Sequence, residues 1–267
     1  MKWTVGQLVK LWKNMLLICS NVKASGKGGR RMLNYMTFNN TRNTNFPLLQ
    51  GRKKAPFFPL NRTITSYAGV HRLKKTEKGL LSISQPIGFI VKNDEHALQL
   101  KDELSNWLVT ENWAPLQFDN EPGRRYTAVV QNTLDDFEKF VDQRSGTVQF
   151  VAKDELGDKR TETINTTNTT IQVTGQAETP WATQTTFGID ADQFVLEANN
   201  GLYVQLDYNF IQGDVLKIDY KYRKVTLNDE LLMTPISLQT NWLPLTPGYM
   251  QMKASHETEI SYSERHY

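Results

Sequence analysis

The side chains that could carry chemistry are few and widely spaced in this sequence. Three aspartates lie in the second half, Asp207, Asp214 and Asp219, but no histidine or second acid stands at a spacing typical of general acid and base catalysis. The four histidines lie far apart, and the single cysteine, Cys19, excludes an intramolecular disulfide and a cysteine-based zinc cluster. Hydrolase and metalloprotease motifs are absent from the sequence. We therefore expect no enzyme activity, no catalytic residue, no metal and no cofactor.

A glycine- and lysine-rich stretch over residues 24–36 resembles a phosphate-binding loop in composition only. Such a loop reads G-x-x-x-x-G-K-[ST], but Asn21 stands in place of the first glycine and Gly28 in place of the hydroxyl residue. Residues 1–31 hold seven of the 31 Lys and Arg residues and no acid, so 24 basic and 28 acidic residues remain for the rest of the chain. The net positive charge of the chain therefore comes from this leader.

Two interpretations of the leader 1–31 stay open. Lys27-Gly28-Gly29 can be encoded by AAA-GGA-GGN, which spells a bacterial ribosome-binding sequence, and Met32 or Met36 follows at a suitable distance. The leader is then a translated upstream region that results from a mis-called start. Alternatively it is a basic, disordered tail that contacts phosphate groups. The chain has no apolar run of roughly 18–20 residues, so we expect no membrane partner.

The pattern of apolar residues predicts a mainly β protein with one helix. Valine, threonine, tyrosine and phenylalanine recur in short runs that favour strands. The exception is a helix at 93–109, which Asn93 can cap and in which apolar residues recur every three or four positions. Together with short strands around it, this helix predicts an N-terminal α+β domain at 36–153.

The second half of the chain predicts a different architecture. A charged segment at 154–160 is expected to be a linker, and a threonine-rich segment that suits exposed strand edges opens the domain that follows it. That domain, 161–267, consists of short strands separated by turn sequences such as Asn199-Asn200-Gly201. Regular short strands with such turns predict an all-β sandwich.

Two groups of residues are candidates for binding. Between Arg42 and Lys78 there are nine basic residues and one acid, which indicates either a long exposed arm or a solvated loop. Aromatic residues of the second domain either stack on a sugar ring or belong to the core of the sandwich. The candidate arm residues are Arg52, Lys53, Lys54, Phe57 and Phe58, and the candidate sugar-stacking residues are Trp181 and Trp242.

The order of short motifs over 37–267 resembles the distal tail protein family of siphovirus-type phage tail components. Each motif is weak alone, but their order and spacing are specific. The motifs are Met36-Thr-Phe-Asn-Asn, Arg52-Lys-Lys-Ala-Pro-Phe-Phe, Tyr67-Ala-Gly-Val-His, Leu104-Ser-Asn-Trp-Leu, Ala114-Pro-Leu-Gln-Phe-Asp, Arg124-Arg-Tyr-Thr-Ala-Val-Val, Gln212-Gly-Asp-Val-Leu-Lys-Ile-Asp, Lys224-Val-Thr-Leu-Asn-Asp, Asn241-Trp-Leu-Pro-Leu-Thr-Pro-Gly and the final Glu259-Ile-Ser-Tyr-Ser-Glu-Arg-His-Tyr.

The resemblance implies a structural role. Family members form a hexameric ring at the distal tip of the tail, with the first domain as a belt and the second as a galectin-like sandwich outside it. The ring is the hub of the baseplate. It contacts the tail tube protein and the tail-associated protein, and it lets DNA pass at ejection. The expected location is the virion, after synthesis in the bacterial cytoplasm, and a receptor-binding protein is a further partner. The alternative is a carbohydrate-binding module for host wall sugars.

Two departures from the family pattern concern turns. Asp229 stands where the family often has glycine, and Tyr249 stands where it has asparagine. Both departures affect the expected local turn geometry and leave the family resemblance intact. A galectin-like fold does not by itself predict sugar binding, because fold and site are separate properties.

Overall fold

Antiparallel strands dominate the chain in the computed structural model, which describes residues 33–132, 138–140, 142–232 and 236–267. The leader 1–31 lies outside the described residues. From Tyr35 to Tyr267 the chain forms one compact unit with two hydrophobic cores in its described part. One core draws on residues from Met36 to Ala152 and the other on residues from Ile164 to Tyr262. We call these regions the N-terminal and C-terminal lobes.

The N-terminal lobe is a strand-rich layer with one helix in its described part. Its elements are β1 (Met36–Phe38), β2 (Thr41–Arg42), β3 (Lys53–Lys54), β4 (Leu60–Tyr67), β5 (Val70–Lys78), β6 (Leu81–Ile90), α1 (Asp94–Leu108), β7 (Ala114–Phe118), β8 (Arg125–Asn132), β9 (Glu138–Phe140) and the first half of β10 (Gln143–Ile164). Strands β6, β10, β8, β7 and β1 are neighbours in that order, and β3 pairs with the outer edge of β6.

Helix α1 follows from local signals in the sequence. The side chain of Asn93 accepts a hydrogen bond from the backbone N–H of His96 at 2.7 Å, and Asp94 and Glu95 in the first turn suit the helix dipole. The predicted apolar stripe is buried, and the indole N–H of Trp107 donates to the carbonyl of Phe38 at 3.2 Å. The predicted helix is thus confirmed, and it packs against β1.

The segment 154–160, predicted as a linker, lies instead within the 22-residue strand β10. This strand pairs with β6 over its first half and with the last strand of the chain over its second half. The charges that suggested a linker have partners across the sheet, because Asp154 bonds Arg265 at 2.9 Å and Arg160 bonds Glu264 at 3.0 Å. One strand therefore continues from one lobe into the other.

The C-terminal lobe is a β-sandwich, as predicted. Its strands are β11 (Thr169–Val173), β12 (Trp181–Thr186), β13 (Ala191–Ala198), β14 (Tyr203–Phe210), β15 (Val215–Asp219), β16 (Lys224–Leu227), β17 (Glu230–Leu231), β18 (Gly248–Ala254) and β19 (Thr258–His266). The end of β10 joins one sheet in the order β10-β19-β12-β15-β16-β17, and the second sheet has the order β11-β18-β13-β14. Buried residues from both sheets form the core between them.

The threonine-rich segment divides between two environments. Strand β11 lies at the edge of its sheet, in agreement with the prediction, but β12 lies between β19 and β15. Thr183 and Thr185 of β12 are buried, and the hydroxyl of Thr185 shares a hydrogen bond with that of Thr258 at 2.8 Å. Threonine therefore serves here as a β-branched core residue as well as an edge residue.

Candidate functional site: a projecting hairpin and an acidic helix face

Arg52, predicted to belong to an exposed arm, is packed into the N-terminal lobe. Its Nε donates to Gln85 at 2.6 Å, its Nη1 to Glu121 at 2.5 Å, and its Nη2 to Asn120 at 2.8 Å. The guanidinium lies over the ring of Phe118 at 3.6 Å, and only 13% of the side chain is exposed. Arg52 therefore holds strand β6 to the turn that follows β7.

Lys54 belongs to the same buried network. Its ammonium donates to the hydroxyl of Tyr126 at 2.5 Å, and that hydroxyl donates to the carboxylate of Glu121 at 2.5 Å. Burial acts to raise the pKa of Glu121, but the hydrogen bond from Tyr126 and the nearby charge of Lys54 outweigh it, so this pKa is lowered. Burial and the bond to Glu121 raise the pKa of Tyr126. The carboxylate is thus held in its ionised form by its neighbours.

The two phenylalanines of the predicted arm differ in environment. Phe58 is fully buried, and the ammonium of Lys78 lies 3.6 Å from the centre of its ring. Phe57 is 56% exposed, and Lys53 is also exposed. Of the five predicted arm residues, Arg52, Lys54 and Phe58 therefore form a buried root, and the other two lie on the surface beside it.

The projecting element begins just after this root. Among the strands that the structure describes, β4 and β5 pair only with each other, and every residue from Leu60 to Lys78 is exposed. Ala68 and Gly69 join them with φ angles of 48° and 78°, which is the geometry of a type I′ turn. At the base, the N–H of Gly79 donates to the carbonyl of Pro59 at 2.7 Å. We call Leu60–Lys78 the hairpin.

The hairpin combines positive charge with exposed apolar pairs. It contains five Lys and Arg residues and one glutamate. Tyr67 pairs with Val70 at the tip, and these side chains are 88% and 57% exposed. Arg72 and Lys75 lie on the same face of the hairpin as Tyr67. Their partners on β4 are Thr65 and Thr63, which are two and four residues before Tyr67. The sequence indicated a basic arm, but it did not distinguish the buried root from this projecting part.

A second surface, which the sequence reasoning missed, is the outer face of α1. Leu98 is 63% exposed and Val109, just after the helix, is 75% exposed. Glu95 and Asp102 are also exposed. They stand three residues before and four residues after Leu98, so all three side chains share one face of the helix. The sequence did hold one signal for this surface, because Leu98 falls outside the apolar stripe of the helix. We call Glu95, Leu98, Asp102 and Val109 the acidic helix face.

Both candidate sugar-stacking residues pack against the core of the sandwich. Trp181 is 2% exposed, and its indole N–H donates to the carbonyl of Leu243 at 2.9 Å. Its ring stacks on Trp242 at 6.2 Å and on Tyr220 at 5.6 Å. Trp242 is itself half-buried against the same core. Of the two alternatives for these tryptophans, their positions favour the core of the sandwich, because their faces pack on each other and on the core.

Other binding chemistry is sparse in the described part of the chain. A depression of about 460 Å³ lies on the outer face of the sandwich sheet and is lined by polar side chains such as Gln184 and Lys217. Among the described residues there is no cluster of His, Cys, Asp or Glu that could hold a metal ion. The same residues include no helix with the length and apolarity needed to cross a membrane.

The chain matches known phage tail proteins along most of its length. Residues 33–152 match a phage tail protein RIFT-related domain, and residues 174–266 match the C-terminal domain of siphovirus-type tail components. The distal tail protein of Bacillus phage SPP1 is 26% identical over 236 residues, which is 83% of this chain and 91% of that protein.

Solved structures show the same fold. The crystal structure of SPP1 Dit, described as a paradigm of the hub adsorption apparatus in phages that infect Gram-positive bacteria, aligns with a TM-score of 0.78 at 17% identity. That alignment covers 88% of this chain and 99% of the SPP1 chain. A chain of the phage P2 baseplate in its activated conformation with Ca aligns with a TM-score of 0.53 at 8% identity, over 87% of this chain and 98% of that one.

Proposed function

Because this chain belongs to the distal tail protein family of siphovirus-type tail components, we propose that it forms a hexameric ring that is the hub of a phage baseplate. The chain is a component of a phage tail. In the proposed role the ring joins the tail tube protein to the tail-associated protein and offers an attachment point to a receptor-binding protein. DNA passes through its channel without sequence-specific contacts. The chain is made in the host cytoplasm and is then assembled into the virion.

The observation that carries this proposal is the hairpin. A two-stranded hairpin with solvent on both faces is marginally stable in water, and an exposed strand edge tends to pair with another chain. Here the hairpin keeps tip residues such as Tyr67 almost fully exposed and has an excess of positive charge. Such a surface is explained by burial against a partner. A contact between unlike surfaces of identical chains closes into a ring when the rotation between neighbours permits it.

The test is the mass of the protein in solution, measured by light scattering behind size exclusion. The full chain and a chain that begins at Met32 are expected to form the same hexamer or a double ring. A matched variant in which residues 61–77 are replaced by a short Gly-Ser turn is expected to stay monomeric with unchanged folding of both lobes. A full-length chain that stays monomeric at high concentration contradicts the proposal.

A further inference from the structure

We propose that the hairpin of one copy docks on the acidic helix face of the neighbouring copy, an inference that rests on the proposed ring. The two surfaces have opposite charge. Leu60–Lys78 has five basic residues and one acid, whereas Lys92–Glu111 has five acids and two lysines. Opposite potentials favour encounter and fix the orientation of a contact more than they raise its affinity. The occupant that fits the hairpin is therefore a second copy of this chain.

Charged residues are spaced at comparable distances on the two surfaces. Glu95 and Asp102 are seven residues apart on α1, which is two helical turns or roughly 10 Å. Arg72 and Lys75 lie opposite Thr65 and Thr63 across a β-bulge, so they are separated by about two strand steps, or roughly 7 Å. All four residues are exposed. Lys75 already forms an exposed ion pair with Glu77 at 2.5 Å, and such exposed pairs contribute little free energy. Because arginine and lysine side chains are long and flexible, both cations can still reach two carboxylates on one face of the helix.

Each surface also presents apolar side chains beside its charges. On the hairpin these are Tyr67 and Val70 at the tip, and on the helix they are Leu98 and Val109. Exposed apolar groups flanked by charge are typical of protein contact sites rather than of a solvated face. Docking would cover both sets together, which gives the contact an apolar centre and a charged rim.

The positions of the two surfaces favour a contact between copies. The hairpin joins β6 at Leu81, and α1 begins shortly after Ile90 at the other end of the same strand. Ten residues of extended strand separate these ends by roughly 30 Å. Within one chain both surfaces remain exposed. A donor at one end and an acceptor at the other is the arrangement that head-to-tail rings require.

Charge reversal tests the pairing directly in the full-length chain. One variant carries Arg72→Glu and Lys75→Glu, and the other carries Glu95→Lys and Asp102→Lys. Each variant alone brings like charges together and should need at least a tenfold higher concentration than wild type for half-assembly by light scattering. An equimolar mixture should recover assembly, because the hairpin of each variant then meets a helix of opposite charge on the other.

The controls separate this inference from the proposed function. A variant with Lys159→Glu and Lys224→Glu, on strands β10 and β16, has the same change of net charge as the hairpin variant and should assemble like wild type. If wild type forms a ring and both reversal variants assemble equally well, the pairing is wrong and the ring stands. If each variant fails and the mixture also fails, the two surfaces have other partners and the pairing is again wrong. A monomeric wild type contradicts both the ring and the pairing.

Discussion

Burial should decide how much two similar arginines contribute to the stability of the N-terminal lobe. Arg52 and Arg42 each bond a carboxylate, but the side chain of Arg52 is 13% exposed and that of Arg42 is 47% exposed. Arg42 makes two bonds to Asp119, at 2.6 Å and 2.7 Å. Arg52 bonds three different side chains and covers an aromatic ring. The pair therefore offers a matched comparison within one lobe.

The expected losses differ by several-fold. Arg52→Met leaves the Oε1 of the buried Gln85 without its donor and removes one of the three side chains that bind Glu121. Breaking a buried charged pair costs about 3–5 kcal/mol. Because Lys54 and Tyr126 still bind Glu121, we expect the lower end of that range, about 3 kcal/mol. Arg42→Met breaks a half-exposed pair and should cost less than about 1 kcal/mol.

The Arg52→Lys variant tests the hydrogen-bond geometry of the guanidinium group separately from its charge. A lysine keeps the positive charge but cannot reach Gln85, Glu121 and Asn120 at once, so we expect a loss of about 2 kcal/mol from the unmade bonds. A result equal to wild type would show that charge alone matters at this position, which contradicts the reasoning from geometry.

The assay is urea unfolding of the full chain, with all variants at one protein concentration and in one oligomeric state, because assembly itself raises apparent stability. If Arg42→Met costs as much as Arg52→Met, the argument from burial is refuted. If instead Arg52 contacts a neighbouring copy, Arg52→Met should weaken assembly and leave the unfolding of the monomer unchanged.

Three further predictions concern the core, the strand between the lobes and the buried carboxylate. Trp181→Leu should destabilise the sandwich by about 3 kcal/mol in thermal unfolding, because it leaves a cavity in the core. Gly157→Ala should lower the free energy of unfolding by about 2 kcal/mol through overpacking, since a Cβ would lie 2.6 Å from the Oε2 of Glu264. A Cβ at Gly188 would have no atom within 4 Å, so Gly188→Ala should lower it by less than a third as much. The pKa of Glu121 is lowered from its ordinary value of 4.5, so its ionised form stabilises the folded state fully above pH 4.5. This contribution is lost as the pH falls through the pKa of the folded state. The free energy of unfolding of the wild type should therefore fall more steeply below pH 4.5 than that of the Glu121→Gln variant.

Elements with local signals could be predicted from the sequence. The helix was found because Asn93, the acids after it and the apolar spacing all act within a few residues of one another. The sandwich was found because short alternating strands are separated by turn residues. At the turn after β16, Asn228 and Asp229 both have positive φ angles, 51° and 68°. Turns of this geometry favour glycine at the second position, so Asp229 keeps the turn at some cost in strain.

Long-range pairs could not be predicted in this way. The segment 154–160 has the composition of a linker, but Asp154 finds its partner 111 residues further along the chain. The same limit applies to the arm, because a buried arginine and an exposed one look alike in a sequence. What distinguishes Arg52 from Arg72 is a carboxylate at Glu121, 69 residues away. Trp181 is a similar case, since its partners Tyr220 and Trp242 are distant in the sequence and contact it only in the folded lobe.

The division between root and hairpin has a physical logic in the proposed ring. Buried charged pairs contribute little net stability compared with apolar packing, but they require one geometry. At the root, Arg52 and Lys54 meet Glu121 from two sides, and Phe58 is held under Lys78. These contacts fix the direction in which the hairpin leaves the lobe, and the exposed charges beyond them remain available for recognition. A mutation in the root should therefore change the geometry of assembly, whereas a mutation in the hairpin should change its affinity and its dependence on salt.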